Sequence, residues 1–312
     1  MEPGLLIALA IVLAWMLDLF FGDPFGMLHP VVGYGWLISK GEKRFNKGEY
    51  RFIKGLFLVV SLIITCFLLF WFLFRFLREY NFYFYIAASV VFVFFGLANR
   101  TLISEGKMVF QALKENGIEG GRKQVARIVG RDTSELNEQQ IKTAVLETLS
   151  ENLSDGVVAP MFWLAIGGVP AMMAYKMINT IDSMLGYKSE RYFKFGKAGA
   201  IIDDIANWIP ARLTAAIMLL LQPKKQVIQH IRLYARSHAS PNAGYPESAL
   251  AGILGVQFGG PNIYYGKLIE KPFIGENARE INENDLKISI RVNHLVCLLM
   301  VLIAAFVQWQ IF

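Results

Sequence analysis

The chain has 312 residues, 54% of them hydrophobic and only 18% charged, with 24 Phe and a formal net charge of +6. Soluble domains carry about 25% charged residues, and here whole windows lack any charge, which excludes an ordinary soluble domain. The basic residues are interspersed with acids, a pattern of loop charges held beside anionic lipid rather than of a nucleic-acid surface.

Residues 4–21 form the first apolar stretch, interrupted only by Asp18. Its acidic start, "MEPG", and the lack of a small-residue cleavage site before "GDP" predict a retained helix rather than a cleaved signal. Residues 55–74, "GLFLVVSLIITCFLLFWFLF", hold twenty positions without a charge, enough to cross about 30 Å of hydrocarbon as a helix. Residues 82–98 and 292–309 read the same way. Residues 157–175 and 205–221 are weaker, because the first contains "GGVP" and the second Pro210 and Arg212. Such segments are predicted to be partial, broken or re-entrant helices, tolerated where protein or a water-filled cavity surrounds them. Cys66 and Cys297 both lie in apolar windows, so neither a disulfide framework nor a thiolate metal site is expected.

The expected fold class is therefore an all-α, polytopic helical membrane protein, a single integral-membrane domain over 1–312. Polar connections at 22–54, 99–156, 179–204 and 222–291 join its apolar segments. The three long ones hold six, eight and nine Lys and Arg, which places them in the cytoplasm by the positive-inside bias. Six spans with the amino terminus outside satisfy that count. The two weaker segments are then expected to return the insert 179–204 towards the cytoplasmic side.

Four constellations in these connections are candidates for chemistry. Residues 133–152 read as a helix, with Ser/Thr ahead of a Glu-rich first turn. There, Glu147, Glu151 and Asp155 recur at i, i+4 and i+8, stacking three carboxylates on one face. Like charges so placed repel by some tenths of a kcal/mol, whereas a hard cation such as Mg²⁺ turns the repulsion into binding. The alternative is a solvated face partnered by Lys142. The insert 179–204 holds four acids (Asp182, Glu190, Asp203, Asp204) and four bases (Lys188, Arg191, Lys194, Lys197), with Asn179, Asp182 and Gly186 on one helix face. Acids that hold a metal beside bases that hold phosphate are the parts of phosphoryl transfer; the alternative is a cluster that binds lipid headgroups. In "HASPNAGYPES", two prolines and a glycine stiffen a loop presenting His238, Ser240, Asn242, Tyr245 and Glu247, either a functional loop or an ordinary surface turn. Finally, Asp18, Asp23 and His29 lie at the end of the first span, where an ionisable group is a functional candidate by default. The chain has no G-x-x-x-x-G-K-[ST], G-x-G-x-x-G, H-E-x-x-H or G-x-S-x-G motif.

Four stretches, in order from residue 18 to about 265, resemble the CobD/CbiB family, the adenosylcobinamide-phosphate synthases of cobalamin biosynthesis. They are "GDPFGMLHPVVGYG", "GRDTSELNEQQIKTAVLETLSENLSDGVVAPMFW", "YKMINTIDSMLGYKSERYFKFGKAGAIIDDIANWIPARLTA" and "HASPNAGYPESALAGILGVQFGGPNIYY". "ENLSDG" departs from the family's "ENTVDG"-like form at Leu153 and Ser154, while Glu151, Asn152, Asp155 and Gly156 match. The resemblance implies a multi-pass cell-membrane enzyme with a cytoplasmic active site. It would join adenosylcobyric acid to aminopropanol or its O-phosphate through an amide, in an ATP-dependent ligation. An acyl phosphate is the expected intermediate, because an unactivated carboxylate resists amine attack. Mg²⁺ is then expected at Glu151, Asp155 and Asp182, with Arg191 and Lys188 neutralising the transferred phosphoryl group. Asp203, Asp204 and His238 are candidate bases for the amine, and Asn152, Asn179, Asn242 and Tyr245 candidate contacts to substrate or phosphate. The lipid bilayer is the expected partner, with no nucleic acid and oligomerisation left open. Two other readings stand beside this one. The order Asp182, Gly186, Arg191, Gly196 or Gly199, Asp203, Asp204 faintly echoes membrane CDP-alcohol phosphotransferases, without their D-G-x-x-A-R run. Broken helices also suit a corrinoid-binding transporter, although most polar residues lie in loops rather than spans.

Overall fold

Uncharged runs of this length become helices because a backbone in lipid must satisfy its own hydrogen bonds. In the computed structural model, which describes residues 2–22, 29–187, 189–264 and 266–311, helix α3 covers Arg51–Tyr80. Only 22% of its apolar window is buried within the chain. Phe57 and Leu69, 65% and 63% exposed, belong to an apolar face that only lipid can cover without penalty. Four further helical runs are long and apolar enough to span: Pro3–Phe21, Phe82–Val125, Glu138–Leu185 and Glu283–Ile311. A sixth arises only if Lys197–Ala206 and Trp208–Leu221 are taken together. All six apolar stretches thus coincide with helix, and 205–221 is the one that does not suffice alone. The all-α, polytopic class holds; the described residues add only short strands.

Packing divides the chain into two units, each discontinuous in sequence. The first comprises Met1–Ala98, Ala159–Asn207 and Leu299–Phe312. Its central helix α7 (Ala159–Leu185) packs against α3, α2 (Pro30–Phe45), α4 (Phe82–Gly96) and α8 (Lys197–Ala206), while α1 (Pro3–Phe21) lies on α4. Edge-on ring pairs Phe70–Phe92 (4.9 Å) and Phe74–Tyr85 (5.3 Å) join α3 to α4. The "GGVP" signal marks a genuine break: Gly167 and Gly168 leave helical geometry inside α7, Gly168 at φ +65°, with Pro170 following. The buried Gln308 donates from Nε2 to the carbonyls of Leu164 (3.0 Å) and Ala165 (3.1 Å). Acceptors lost to the break are thereby satisfied inside the protein.

The second unit comprises Asn99–Val158 and Trp208–Leu298. Here α5 (Asn99–Val125) packs on α6 (Glu138–Leu153), and α11 (Gly244–Leu254) packs on α6, α9 (Trp208–Leu221) and α10 (Lys225–Tyr234). Two antiparallel pairs, β1 (Phe258–Gly259) with β4 (Phe273–Ile274) and β2 (Asn262–Tyr264) with β3 (Lys267–Ile269), precede α12 (Glu283–Ile311). The long polar connections are therefore largely helical rather than loops. The start of α6 also differs from expectation. Its cap is Asn137, whose Oδ1 accepts from Gln140 N while Asn137 N donates to Gln140 Oε1, both at 2.9 Å. This reciprocal capping box outcompetes Thr133 and Ser134, and Ser134 is used instead in a turn closed by Asp132.

A Cβ at Gly55 would stand 2.0 Å from the Phe195 carbonyl oxygen. Gly55→Ala is therefore expected to destabilise the protein by about 1–3 kcal/mol, the usual penalty for overpacking. Gly33→Ala, inside α2 with nothing within 4 Å, is the unstrained control and is expected to hold or slightly raise stability; thermal unfolding in detergent measures both.

Candidate active site

The i, i+4 pair on α6 builds one wall of a cavity of about 190 Å³ in the second unit, lined also by Arg131, Asn152, His238, Glu247, Gly259 and Lys271. Glu147 is buried, and its two oxygens are taken: Oε2 meets Arg131 Nη2 at 2.5 Å, and Oε1 accepts the Gly259 N–H at 2.7 Å. Arg131 donates onward to Asn262 Oδ1 at 3.0 Å. Gly259, at φ +80°, must be glycine to present that amide, since a Cβ there would lie 2.3 Å from Pro272 O.

Glu247 projects from the first turn of α11 and is buried. Burial, with the charges of Glu147 and Glu151 beside it, pushes its pKa well above the usual carboxylate range; Lys271 and Arg131 oppose the shift. His238 Nδ1 accepts the Ser240 N–H at 3.0 Å, which leaves the ring proton on Nε2, 3.8 Å from Glu247 Oε1. Burial and then the Lys271 charge push the imidazole below its ordinary value. In this tautomer Nε2 already carries its proton, so His238 faces Glu247 as a donor rather than as a base.

Of the residues expected from sequence, Glu151, Asn152 and His238 meet at this cavity. Asp155 does not line it. It sits in a π-helical turn, Ser154–Val158, where an i+5 repeat replaces i+4 and ends the predicted carboxylate stack. Asn242 and Tyr245 are engaged by Arg212, which donates to Asn242 Oδ1 at 3.2 Å and lies between the rings of Trp208 (4.3 Å) and Tyr245 (4.2 Å). Glu247 was named in the 238–248 loop without a role, whereas Arg131 stood unremarked in a quoted motif and Lys271 carried no local signal.

The remaining candidates belong to the first unit. Asp182 lies on α7, and Asp203 and Asp204 on α8; the charges of Asp182 and Asp204 both bear on Asp203. Asn207 donates to Asp203 Oδ2 at 3.0 Å and accepts from the Tyr175 hydroxyl at 2.8 Å. Asn179 also contributes a stabilising hydrogen bond to Asp203. Gly186 is dictated by close approach, because a Cβ would meet Asp182 Oδ1 at 2.1 Å. Arg191, expected at a phosphate, instead forms a two-pronged pair with the buried Glu42, Nε to Oε1 at 3.0 Å and Nη2 to Oε2 at 2.8 Å. That pair ties the turn before α8 to α2, and the Arg191 hydrogen bond holds the Glu42 carboxyl below its ordinary pKa. Lys188 and Asp23 lie outside the described residues. Among the described residues, no group of three or more His, Cys, Asp and Glu side chains is gathered to hold a metal ion.

The family model described as CobD/Cbib protein matches residues 11–293, a segment that contains both acidic clusters. The chain belongs to the CobD/CbiB family. Among its relatives, the cobalamin biosynthesis protein CobD of Clostridium tetani is 38% identical over 95% of this chain and 96% of its own. That of Clostridium perfringens is 37% identical, covering 96% and 97%, and that of Geobacter metallireducens 40%, covering 97% and 96%. No solved structure matches the chain.

Removing Arg131 strands Glu147 as a buried unpaired charge. Arg131→Ala is expected to lower stability by about 3–5 kcal/mol, with much of the loss recovered in the Arg131→Ala/Glu147→Ala double variant, as read from chemical unfolding. The Glu42 pair carries a pH signature. Because the folded-state pKa is lowered, its stabilisation is present above the ordinary carboxylate value and is lost as acid titrates the folded carboxyl. Glu42→Gln should therefore melt below wild type at pH 7 and converge with it in strong acid.

Proposed function

We propose that the second unit's cavity is the amine subsite of an amide-forming ligase in cobalamin biosynthesis. Membership of the CobD/CbiB family supports the biosynthetic role. The observation that carries the finer reading is the meeting of opposite charges in one small enclosure: Lys271 and Arg131 with Glu151 and Glu247. A volume of about 190 Å³ suits aminopropanol or its phosphate, a short chain bearing an ammonium at one end, and leaves a corrin outside.

In the proposed reaction the remaining carboxylate of adenosylcobyric acid takes the γ-phosphoryl group of ATP, releasing ADP. The ammonium first gives one proton to a base, the freed amine nitrogen attacks the acyl carbon, and phosphate departs, carrying the second nitrogen proton. Glu247 is the acceptor this chain offers, because a carboxyl whose proton affinity burial has raised takes an ammonium proton more readily than an exposed one. Lys271 offsets phosphate charge, and Arg131, committed to Glu147, is a positioning residue. The donor set suits Mg²⁺ bound by Glu151 with waters and nucleotide phosphates, since this ion is commonly held by one or two carboxylates rather than by an all-protein cage. Its role there would be to neutralise phosphate charge. The CDP-alcohol reading is weakened by Arg191, whose pairing with Glu42 occupies the arginine a diphosphate would need.

Purified protein supplied with adenosylcobyric acid, aminopropanol phosphate, ATP and Mg²⁺ is expected to yield the amide by mass spectrometry. Glu247→Gln should reduce turnover roughly 10²–10⁴-fold, the span attributed to a positioned acid–base group. Lys271→Met should raise KM more for the phosphorylated amine than for the free one. No amide from wild type, or near-normal turnover in Glu247→Gln, would count against the assignment.

A further inference from the structure

A second concavity lies in the first unit and owes nothing to the reading above. It measures about 700 Å³ and is walled by the end of α3, the Gly167–Gly168 break in α7 and the last turns of α12. Its level in the bilayer follows from α3. The charge-free window ends at Phe74, Arg75 and Arg78 follow within one turn, and Trp71 lies under the Arg75 guanidinium at 5.5 Å. Tryptophan beside arginine at the end of an apolar run marks the boundary between hydrocarbon and headgroups. The groove therefore opens at headgroup level.

Its chemistry is divided in the same direction. The rim carries Arg75, Arg78 and Glu79, two positive charges against one negative, with Arg75 and Glu79 paired at 3.1 Å where both are exposed. The floor is apolar, lined by Ile166 of α7 and Ile311 of α12. The break in α7 would ordinarily make such a floor polar, but Gln308 binds the carbonyls of Leu164 and Ala165, so a hydrocarbon chain can lie against it. We propose that this groove binds one anionic phospholipid, its phosphodiester held by Arg75 and Arg78 and an acyl chain running over Ile166 and Ile311. Guanidinium groups suit a phosphodiester because their fixed donors meet its oxygens in pairs. The single excess positive charge selects for a lipid of net negative charge.

The test uses full-length protein, delipidated in mild detergent and titrated by native mass spectrometry with phosphatidylglycerol or phosphatidylcholine. One phosphatidylglycerol is expected to bind at least tenfold more tightly than phosphatidylcholine. Arg75→Gln/Arg78→Gln, both exposed positions, should abolish that preference without changing the melting temperature of the lipid-free protein. Ile311→Trp, which fills the groove without altering charge, should weaken binding of phosphatidylglycerol as well. Equal binding of the two lipids, an undiminished preference in the arginine variant, or displacement of the lipid by soluble glycerol phosphate as effectively as by lipid would overturn the proposal. So would a lipid-independent dimer that Ile311→Trp dissociates.

Discussion

The second unit is organised around one buried ion pair. Arg131 and Glu147 meet where water is excluded, and such a pair is tolerated only when the remaining lone pairs and protons find partners. Here they do: the Gly259 amide takes the second carboxylate oxygen, and Asn262 takes a second guanidinium donor. The pair thus joins α6 and the turn before it to β1 through Gly259 and to β2 through Asn262. Such pairs contribute positional specificity more than net stability, and the specificity is what a small polar cavity requires. Glu151, Glu247 and Lys271 line the same cavity as the pair.

In the first unit the governing constraint is the backbone. A helix interrupted at membrane depth exposes carbonyls that lipid cannot satisfy, and the protein answers with Gln308, a side chain more than 140 residues away in sequence. The same logic explains the polar insert. Asp203 Oδ2 is held by Asn207, which Tyr175 orients, so this carboxylate is tied to polar side chains rather than set in bare hydrocarbon. Arg191, meanwhile, serves the frame of its own turn through Glu42 and through the side-chain donors of Asn46 and Arg51 that end on its carbonyl.

The polar groups of the two units differ in what they can do. Near Glu247 both signs of charge line one enclosure, and a neighbouring imidazole is held neutral, a setting suited to moving a proton off an arriving ammonium. The charges that bear on Asp203 include those of Asp182 and Asp204, and its hydrogen-bond partners include the neutral amides of Asn207 and Asn179. This difference is the reason the proposed ligation assigns its amine to the second unit.

The membrane class, the six apolar stretches and the break at "GGVP" were legible in the sequence because each depends on local properties: the length of an uncharged run, or the φ/ψ that Gly–Gly–Val–Pro permits. The i, i+4 relation of Glu147 and Glu151 was legible for the same reason, since helical periodicity is local. The four motif stretches also carried the family. The sequence could not disclose which charge meets which. Arg191 was expected at a phosphate and is bound to Glu42, 149 positions away; Lys271 reaches the cavity from a segment with no motif at all. The π-helical turn that takes Asp155 off the carboxylate face, and the tautomer that makes His238 a donor, likewise come from packing and from a backbone amide. Hydrophobic length is written residue by residue, whereas electrostatic partnership falls off over a few ångströms of space and is decided only when the chain has folded.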